Sequence, residues 1–425
     1  MEEFSFRQCI LASPLLEYSP SFRVNSPPLS LIVSKLCIKK VSMEKKQRFS
    51  RPFVEGIITF TVLALVFGYI GSIMGTGNMI NTITNTAHDL LLNTVFYLVA
   101  ITVLVGALSA LLIEFGAVTI IEKITAPFMK PLFGLPGVAS LAAVLTFLSD
   151  NPAVISLARD KGYASYYKQH QLYSLANFGT AFGMGLIVLT YMMGLGFYQE
   201  AGIGFLGSII GAFTSTRLMQ WLLIRKIGIV DVIPPKQQEP FDQTTIITPK
   251  EQTFIVRLLN ALLDGGKNGL EAGFAIIPGV LIISTSVMML TWGPKVPELG
   301  YQGLAYEGVP ILPAIGSFFA PVFNALFGFS NPEAIAFPVT SLGAVGAALG
   351  LLPRFIEQGL VTGNDIAVFT AIGMCWSGFL STHTGMMDSL NRRDLIGSAL
   401  VSHTIGGIVA GISANYLYLF FGMLF

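Results

Sequence analysis

The sequence has 425 residues, of which 53% are hydrophobic and 12% are charged, and its formal net charge is +1. Soluble domains usually carry about 25% charged residues, and the deficit here extends along the whole chain. The balanced charge gives no reason to expect a nucleic-acid partner. Three cysteines, Cys9, Cys37 and Cys375, show neither metal-like nor disulfide-like spacing. Composition therefore favours a multi-pass protein whose main surroundings are the lipid bilayer.

Residues 1–42 contain four prolines and show neither an amphipathic period nor the plan of a signal peptide. Met43 then begins a short basic stretch directly before the first apolar segment, as bacterial membrane proteins commonly begin. We interpret residues 1–42 either as a non-native extension of the reading frame or as a disordered leader.

The first predicted transmembrane helix covers residues 54–74 and follows four basic residues. Because positive charge stays on the cytoplasmic side, we expect a cytoplasmic N-terminus in the cell (inner) membrane. Residues 75–89 lack Lys and Arg and are predicted to form an outside loop. A second span at 91–113 precedes an amphipathic interfacial stretch at 116–134, in which Glu122, Lys123 and Lys130 are expected to face water.

Residues 137–158 are long enough to cross the membrane, but Ser149, Asp150, Asn151 and Pro152 interrupt the apolar run. Proline removes a backbone donor and disfavours helical geometry at the residue before it. A crossing would also place the following basic residues outside. We therefore predict a re-entrant hairpin, whose broken backbone survives at membrane depth only beside protein or a water-filled cavity.

The remaining spans are predicted at 172–197 and 203–224, then at 273–292, 365–387 and 395–421. A cytoplasmic loop at 225–269, with a short surface helix at 254–263, separates the two halves. The second half has its own interfacial stretch at 311–329.

The two halves repeat. Ala126-Pro127 and Leu132-Phe133-Gly134 recur 194 residues later as Ala320-Pro321 and Leu326-Phe327-Gly328. Repeat 1 is placed at 91–224, with its hairpin at 137–158, and repeat 2 at 270–425, with its hairpin at 331–354. Three spans and one hairpin per repeat require the second copy to be inverted. We predict an all-α polytopic membrane protein of inverted repeats with one extra N-terminal helix, a plan that is standard among secondary transporters.

Candidate binding residues lie at the breaks and in the middle of the following spans. Asp150 is the strongest candidate, because an intramembrane carboxylate is costly and marks function by default; the competing interpretation is a helix cap. Each Ser or Thr could instead bond its own helix, and His383 could relay protons. The predicted substrate- or ion-binding residues are Ser149, Asp150, Asn151, Asn177, Thr180, Thr340, Ser341, Ser377, Ser381, His383 and Thr384, with Thr340 and Ser341 in the second hairpin tip at 338–341.

No catalytic motif is present in the sequence, and we expect neither an enzyme nor a resident cofactor or metal. The stretch 122–158, EKITAPFMKPLFGLPGVASLAAVLTFLSDNPAVISLA, resembles the Gate domain, also called the nucleoside-recognition domain. Concentrative nucleoside transporters, ferrous-iron transporters and spore maturation proteins share that domain. Residues 145–174 and 402–417 also resemble the ethanolamine permease family. That family carries an acidic residue and a histidine where residues 178–183 here read FGTAFG.

Two functions are therefore expected. The first is secondary transport of a small polar organic solute, nucleoside-like or an amine, driven by an ion or proton gradient. The alternative is a non-transporting Gate-domain protein of envelope or spore assembly. A polar cavity at the hairpin tips would favour transport, and tips closed by packing would favour assembly. The coupling ion, Na⁺ or H⁺, and homo-oligomerisation are left open.

Overall fold

The computed structural model describes residues 51–232 and 253–424, and within these ranges the chain is helical apart from loops and two isolated β-bridges. The predicted leader at 1–42 and most of the loop between the halves lie outside the described residues. The chain divides into a first unit that ends at Tyr69 and a second unit, Ile70–Phe425.

Six helices in the described ranges are long and apolar enough to cross a bilayer. They are Pro52–Met74, Thr76–Glu114, Gln169–Gly194, Phe254–Met289, Gly363–Ser389 and Arg393–Met423. The chain is therefore an all-α polytopic membrane protein, as the sequence predicts.

The extra helix α1 spans Arg51–Met74, and the elements of the first repeat follow it. They are α2 (Thr76–Glu114, with a π-helical turn at Leu90–Val95), α3 (Ala117–Phe128, then a π-turn at Met129–Phe133), α4 (Ala139–Leu148), α5 (Pro152–Arg159), α6 (Lys161–Ala164), α7 (Gln169–Thr180), α8 (Gly185–Gly194) and α9 (Tyr198–Ile227).

Among the described residues, the second half has nine helices in place of eight, because two short helices, Ile311–Phe318 and Ala320–Phe327, stand where the first half has α3. The nine helices are α10 (Phe254–Met289, with a π-turn at Val280–Ser284), α11 (Ile311–Phe318), α12 (Ala320–Phe327), α13 (Ala336–Gly343), α14 (Val345–Leu349), α15 (Leu352–Glu357), α16 (Gly363–Cys375), α17 (Phe379–Ser389) and α18 (Ile396–Leu424), with 3₁₀ turns at Pro297–Leu299, Pro332–Ile335 and Arg393–Leu395.

Equivalent helices of the two repeats pack against each other, α2 on α10 and α9 on α18. The α2–α10 contact is close because it is built on glycines. A Cβ placed at Gly269 would lie 2.1 Å from the carbonyl oxygen of Thr102, and one at Gly106 would lie 2.4 Å from the carbonyl oxygen of Gly265. Small residues at a helix crossing let two backbones approach closely in a membrane. The backbones of α2 and α10 are therefore closely packed at this crossing.

In each broken segment, a side-chain hydrogen bond joins the residues before the break to residues beyond it. In the first, the Gln171 amide donates to the carbonyl of Gly134, 2.7 Å away, which ties the start of the hairpin to the residues that follow it. In the second, the Asn331 amide donates to the carbonyl of Leu360, also at 2.7 Å. These bonds hold the two ends of each broken segment together, as a re-entrant hairpin requires.

The stretch predicted as an outside loop, 75–89, is instead the first part of α2. Its polar side chains bond the loop at 290–310: the amide of Asn78 donates to the carbonyl of Tyr301 (2.8 Å), and Asn85 donates to Gly303 (2.9 Å). The Tyr306 hydroxyl donates to Asp89, and burial together with that carboxylate raises the pKa of the phenol. Tertiary partners thus stabilise a helix that its sparse apolar content did not predict.

Two further expectations are wrong. The short surface helix at 254–263 is the start of α10 and runs continuously into the membrane span. Glu122, expected to face water on α3, is 9% exposed. The spans predicted at 172–197 and 365–387 correspond to Gln169–Gly194 and Gly363–Ser389, and each is interrupted in its middle.

Candidate functional site

The first hairpin break lies at Ser149–Asn151, between α4 and α5. Pro152 occupies the first turn of α5, where its missing N–H costs nothing. The Asp150 carboxylate accepts the N–H of its neighbour Asn151 at 2.7 Å. This contact does not reach further into α5, so most of the carboxylate's bonding capacity stays open, and capping does not explain why an acid is present.

The second hairpin break lies at Ala344, whose extended backbone (φ −166°, ψ 125°) separates α13 from α14. The sequence placed this tip at 338–341, about a turn too early. Thr340 and Ser341 lie inside α13, buried, and their hydroxyls donate to the carbonyls of Ala336 (2.7 Å) and Phe337 (3.0 Å). Both side chains therefore form hydrogen bonds within their own helix. For every Ser and Thr, this is the alternative to a role in binding.

Two crossing helices are also broken at equivalent places. The first break separates α7 from α8 and contains Met184 in the left-handed region (φ 53°). The second separates α16 from α17. Ser377 donates its hydroxyl to the carbonyl of Thr180 at 3.2 Å. A residue in the break between α16 and α17 therefore donates a hydrogen bond to a carbonyl at the break between α7 and α8.

Asn151 lies between the two helix breaks. Its side-chain amide donates to the carbonyl of Ser377 at 3.2 Å. A Cβ at Gly183 would lie 2.2 Å from its Oδ1, and a Cβ at Gly378 would lie 2.2 Å from its Nδ2. Glycine at both positions is what allows the tip of the first hairpin to contact both breaks.

A cavity of about 340 Å³ lies where these four breaks meet. Its walls combine one carboxylate and a few hydroxyls with apolar side chains, and no Lys, Arg or His is among the described residues that line it. The lining residues are Asp150, Asn151, Pro152, Ile155, Met184, Ile187, Ala272, Ala275, Ile276, Gly279, Gly343, Ala344, Val345, Gly346, Ser377, Gly378, Ser381 and Thr382.

Asp150 is half-buried at this cavity, and within the described ranges no salt bridge is found for it. A carboxylate removed from water without a counter-ion is unfavourable unless a cation or several donors compensate it. The cavity thus presents an uncompensated negative charge beside hydroxyl groups, which suits a bound cation or protonated amine.

Four of the predicted site residues line the cavity, namely Asp150, Asn151, Ser377 and Ser381. Two others are exposed elsewhere: Ser149 donates to the carbonyl of Leu145 (2.6 Å), and Thr384 donates to that of Leu380 (2.7 Å). Asn177, Thr180 and His383 are fully buried outside the cavity, as are Thr340 and Ser341 in α13.

Asn177 instead belongs to a buried polar cluster. Its amide donates to the hydroxyls of Ser215 (2.9 Å) and Ser402 (2.7 Å). The Ser215 hydroxyl contacts Nδ1 of His403 at 2.7 Å, and Nε2 of His403 contacts the carbonyl of Cys375. This cluster joins α7, α9 and α18 to the end of α16.

Sequence reasoning missed the apolar wall of the cavity. Ala272, Ala275 and Gly279 form a small-residue face on α10, a spacing that could have marked close approach. Met184 carries no comparable signal. The Gly343–Gly346 turn carries none either, because glycine and alanine recur throughout the second half.

Fold and site together define an all-α polytopic membrane protein with a partly polar cavity where four backbone breaks meet. No protein-family model matches the sequence. Over 102 residues the chain is 31% identical to the sporulation integral membrane protein YlbJ of Bacillus subtilis (strain 168), a match that covers 23% of this chain and 24% of YlbJ. The chain thus spans about a quarter of the length of that curated relative.

Among solved structures, the chain is similar to CNTnw in an inward-facing substrate-bound state, with a TM-score of 0.48, 13% identity, and coverage of 91% of this chain and 90% of that one. A CNTnw variant in an intermediate state gives a TM-score of 0.49 at 13% identity, over 97% of this chain and 90% of that one.

Proposed function

We propose that the protein is a secondary transporter that moves a small polar organic solute across the cell (inner) membrane, driven by an ion or proton gradient. The observation that carries the proposal is the cavity at the junction of both hairpin tips and both helix breaks. Irregular backbone at membrane depth persists where it lines a binding cavity. Discontinuous elements at a repeat interface are where transporters bind substrates.

Alternating access would use the two hairpins as gates. The two tips contact the cavity from different repeats. In an inverted repeat, one tip would close the path from the cavity to one side of the membrane, and the other tip would close the path to the opposite side. The first tip is held by the bond from Asn151 to Ser377 and by close contact with two glycines. Such contacts can be released together, because they are concentrated in one side chain.

The chemistry of the cavity supports a solute with a protonated amine, or a nucleoside-like solute bound together with a cation. Asp150 would compensate the positive charge, and the hydroxyls of Ser377, Ser381 and Thr382 would bond polar groups. Ile155, Ile187 and Ile276 would contact the apolar part of the solute.

The alternative, a non-transporting role in envelope or spore assembly, draws on the short match to YlbJ. Hairpin tips closed by packing alone would support it. A cavity with an uncompensated carboxylate supports transport instead, because an assembly role gives no reason to keep a costly charge there.

A thermal-shift screen tests the proposal. Purified protein is heated with nucleosides, amines and amino acids, each with and without Na⁺. Ligands that bind the folded state raise the unfolding temperature, and we expect at least one solute to do so in wild type and not in Asp150→Asn. Counterflow of the same radiolabelled solute in proteoliposomes then measures transport. Absence of counterflow for a solute that binds would overturn the proposal.

A further inference from the structure

The buried polar cluster contains a second imidazole, His383, whose ring lies 4.5 Å from that of His403, centroid to centroid. Both side chains are fully buried. Neutral imidazole has one donor nitrogen and one acceptor nitrogen. The partners of each ring therefore decide where its proton sits and whether a second proton can bind.

His403 has no free nitrogen. Its Nε2 faces the carbonyl of Cys375, which can only accept, so Nε2 carries the proton. Its Nδ1 then accepts from the Ser215 hydroxyl, whose oxygen in turn accepts from the amide of Asn177. A further proton on His403 would require the Ser215 hydroxyl to turn and accept from Nδ1 instead of donating to it.

His383 has one free nitrogen. Its Nδ1 faces the carbonyl of Phe379, again an acceptor, so Nδ1 carries the proton. Its Nε2 then carries a lone pair that is buried and has no hydrogen-bond partner among the described residues. Buried polar atoms are nearly always paired, and an exception calls for an explanation. In this cluster, Nε2 of His383 is the nitrogen left open to a proton.

The position of His383 connects it to the cavity. Thr382, the preceding residue on α17, lines the cavity, and α17 begins directly after the helix break at 376–378. Because His383 itself is fully buried, its imidazole reaches the cavity only if α17 moves. Several elements packed against α17 carry titratable or charged groups, whereas α13 has none. These groups are His403, Tyr416 and Tyr418 on α18, His170 and Tyr173 on α7, Asp150 and Arg159 on α5 and the break before it, and Arg393 and Asp394 in the 3₁₀ turn; α17 itself carries Asp388.

We infer that Nε2 of His383 binds a proton during the transport cycle and that the structure shows its deprotonated state. When α17 exposes the ring to the cavity, the lone pair takes a proton from hydronium there, which leaves a water molecule, and the imidazole becomes a cation. An imidazolium without a counter-ion is unfavourable between His403 and Phe379, so protonation favours the conformation in which α17 exposes it to the cavity. The role of this proton in a transport cycle rests on the proposed function, whereas the protonation of His383 itself does not.

Trp376 provides a reporter that needs no substrate. Its indole N–H donates to the carbonyl of His403 at 3.2 Å, and its ring contacts Phe379. With Trp221 and Trp292 replaced by Phe, Trp376 is the one tryptophan left of three. We expect its emission to change in a single step as the pH falls from 8 to 4. His383→Gln should lose that step, and His170→Gln, a matched substitution elsewhere, should keep it.

A second measurement does not depend on a His383 variant. Long-range ¹H–¹⁵N spectra of ¹⁵N-histidine protein, with His88 and His170 replaced by Gln, should show one Nδ1–H ring and one Nε2–H ring at high pH. Acid should convert the Nδ1–H ring to the doubly protonated form. A step that survives in His383→Gln, no step in wild type, or acid conversion of the Nε2–H ring first would each overturn the inference. None of these outcomes bears on whether a solute is transported.

Discussion

Asn151, at the tip of the first hairpin, donates a hydrogen bond to the backbone carbonyl of Ser377, 3.2 Å away in the helix break of the other repeat. The bond crosses 226 positions of the chain and closes the inner end of the hairpin against the second half. Together with the bond from Ser377 to the carbonyl of Thr180, this contact couples the two halves at the cavity.

Replacing Asn151 by Ala should weaken this closure. The carbonyl of Ser377 loses its donor in a buried position, which costs roughly 1–3 kcal/mol. We expect a lower unfolding temperature and faster labelling of a cysteine placed at Ser381, measured on purified protein. Asn93→Ala is the matched control, because Asn93 is exposed and bonds only Asp89 among the contacts described for it; equal effects of the two substitutions would show that Asn151 has no special role.

Asp150→Asn should abolish charge compensation while keeping the volume of the side chain. A charge-assisted hydrogen bond contributes roughly 1.5–3 kcal/mol, so the affinity for a cationic ligand should fall about tenfold to a hundredfold. Calorimetric titration of wild type and variant with the best ligand of the screen measures this directly. Unchanged affinity would exclude a charge role for Asp150 and leave the cavity as a site for neutral solutes.

The break in the first hairpin could be predicted from the sequence because polar residues and a proline are unusual within an apolar segment. Asp150, Asn151 and Pro152 interrupt an apolar run, and the basic residues beyond them are explained only if the chain turns back. The second hairpin breaks at Ala344, among glycines and alanines that fit helix and turn equally well. Its position could not be read locally, and Thr340 and Ser341 were placed at a tip that they do not form.

The helix breaks and the start of α2 depend on distant partners. Thr180 accepts a bond from Ser377, and Asn78 bonds Tyr301 more than 200 positions away. A pattern within one window cannot show that such partners exist. For the same reason Asn177 was predicted to line the cavity, whereas the structure gives it three partners in a buried cluster that only the tertiary fold assembles.

The crossing of α2 and α10 gives a matched pair of substitutions on one helix. At Gly269 an added Cβ meets backbone atoms of Thr102 at 2.1 Å, whereas at Gly266 it meets a side-chain methyl of Val103 at 3.7 Å. Overpacking typically costs about 1–3 kcal/mol, and alanine favours a helix over glycine by about 0.8–1.0 kcal/mol. We therefore expect Gly269→Ala to lower the unfolding temperature and Gly266→Ala to leave it unchanged or raise it. The reverse order would contradict the packing of the two repeats at this crossing.

The last prediction concerns which side of the membrane each loop faces. It is tested with single-cysteine variants of a protein in which the three native cysteines have been replaced. The structure fixes which segments share a side: Gln169 donates its N–H to the carbonyl of Val230, and Asn85 bonds the loop at Gly303. Cysteines at the exposed positions Lys161 and Ile229 should therefore label together, and those at Thr84 and Gln302 should label together from the other side. Because Lys and Arg concentrate near the first pair, we expect a membrane-impermeant maleimide to reach Thr84 and Gln302 in intact cells and to reach Lys161 and Ile229 only after permeabilisation. Labelling of Lys161 and Gln302 from the same side would show that the first broken segment crosses the membrane, and the inverted repeat would be lost with it.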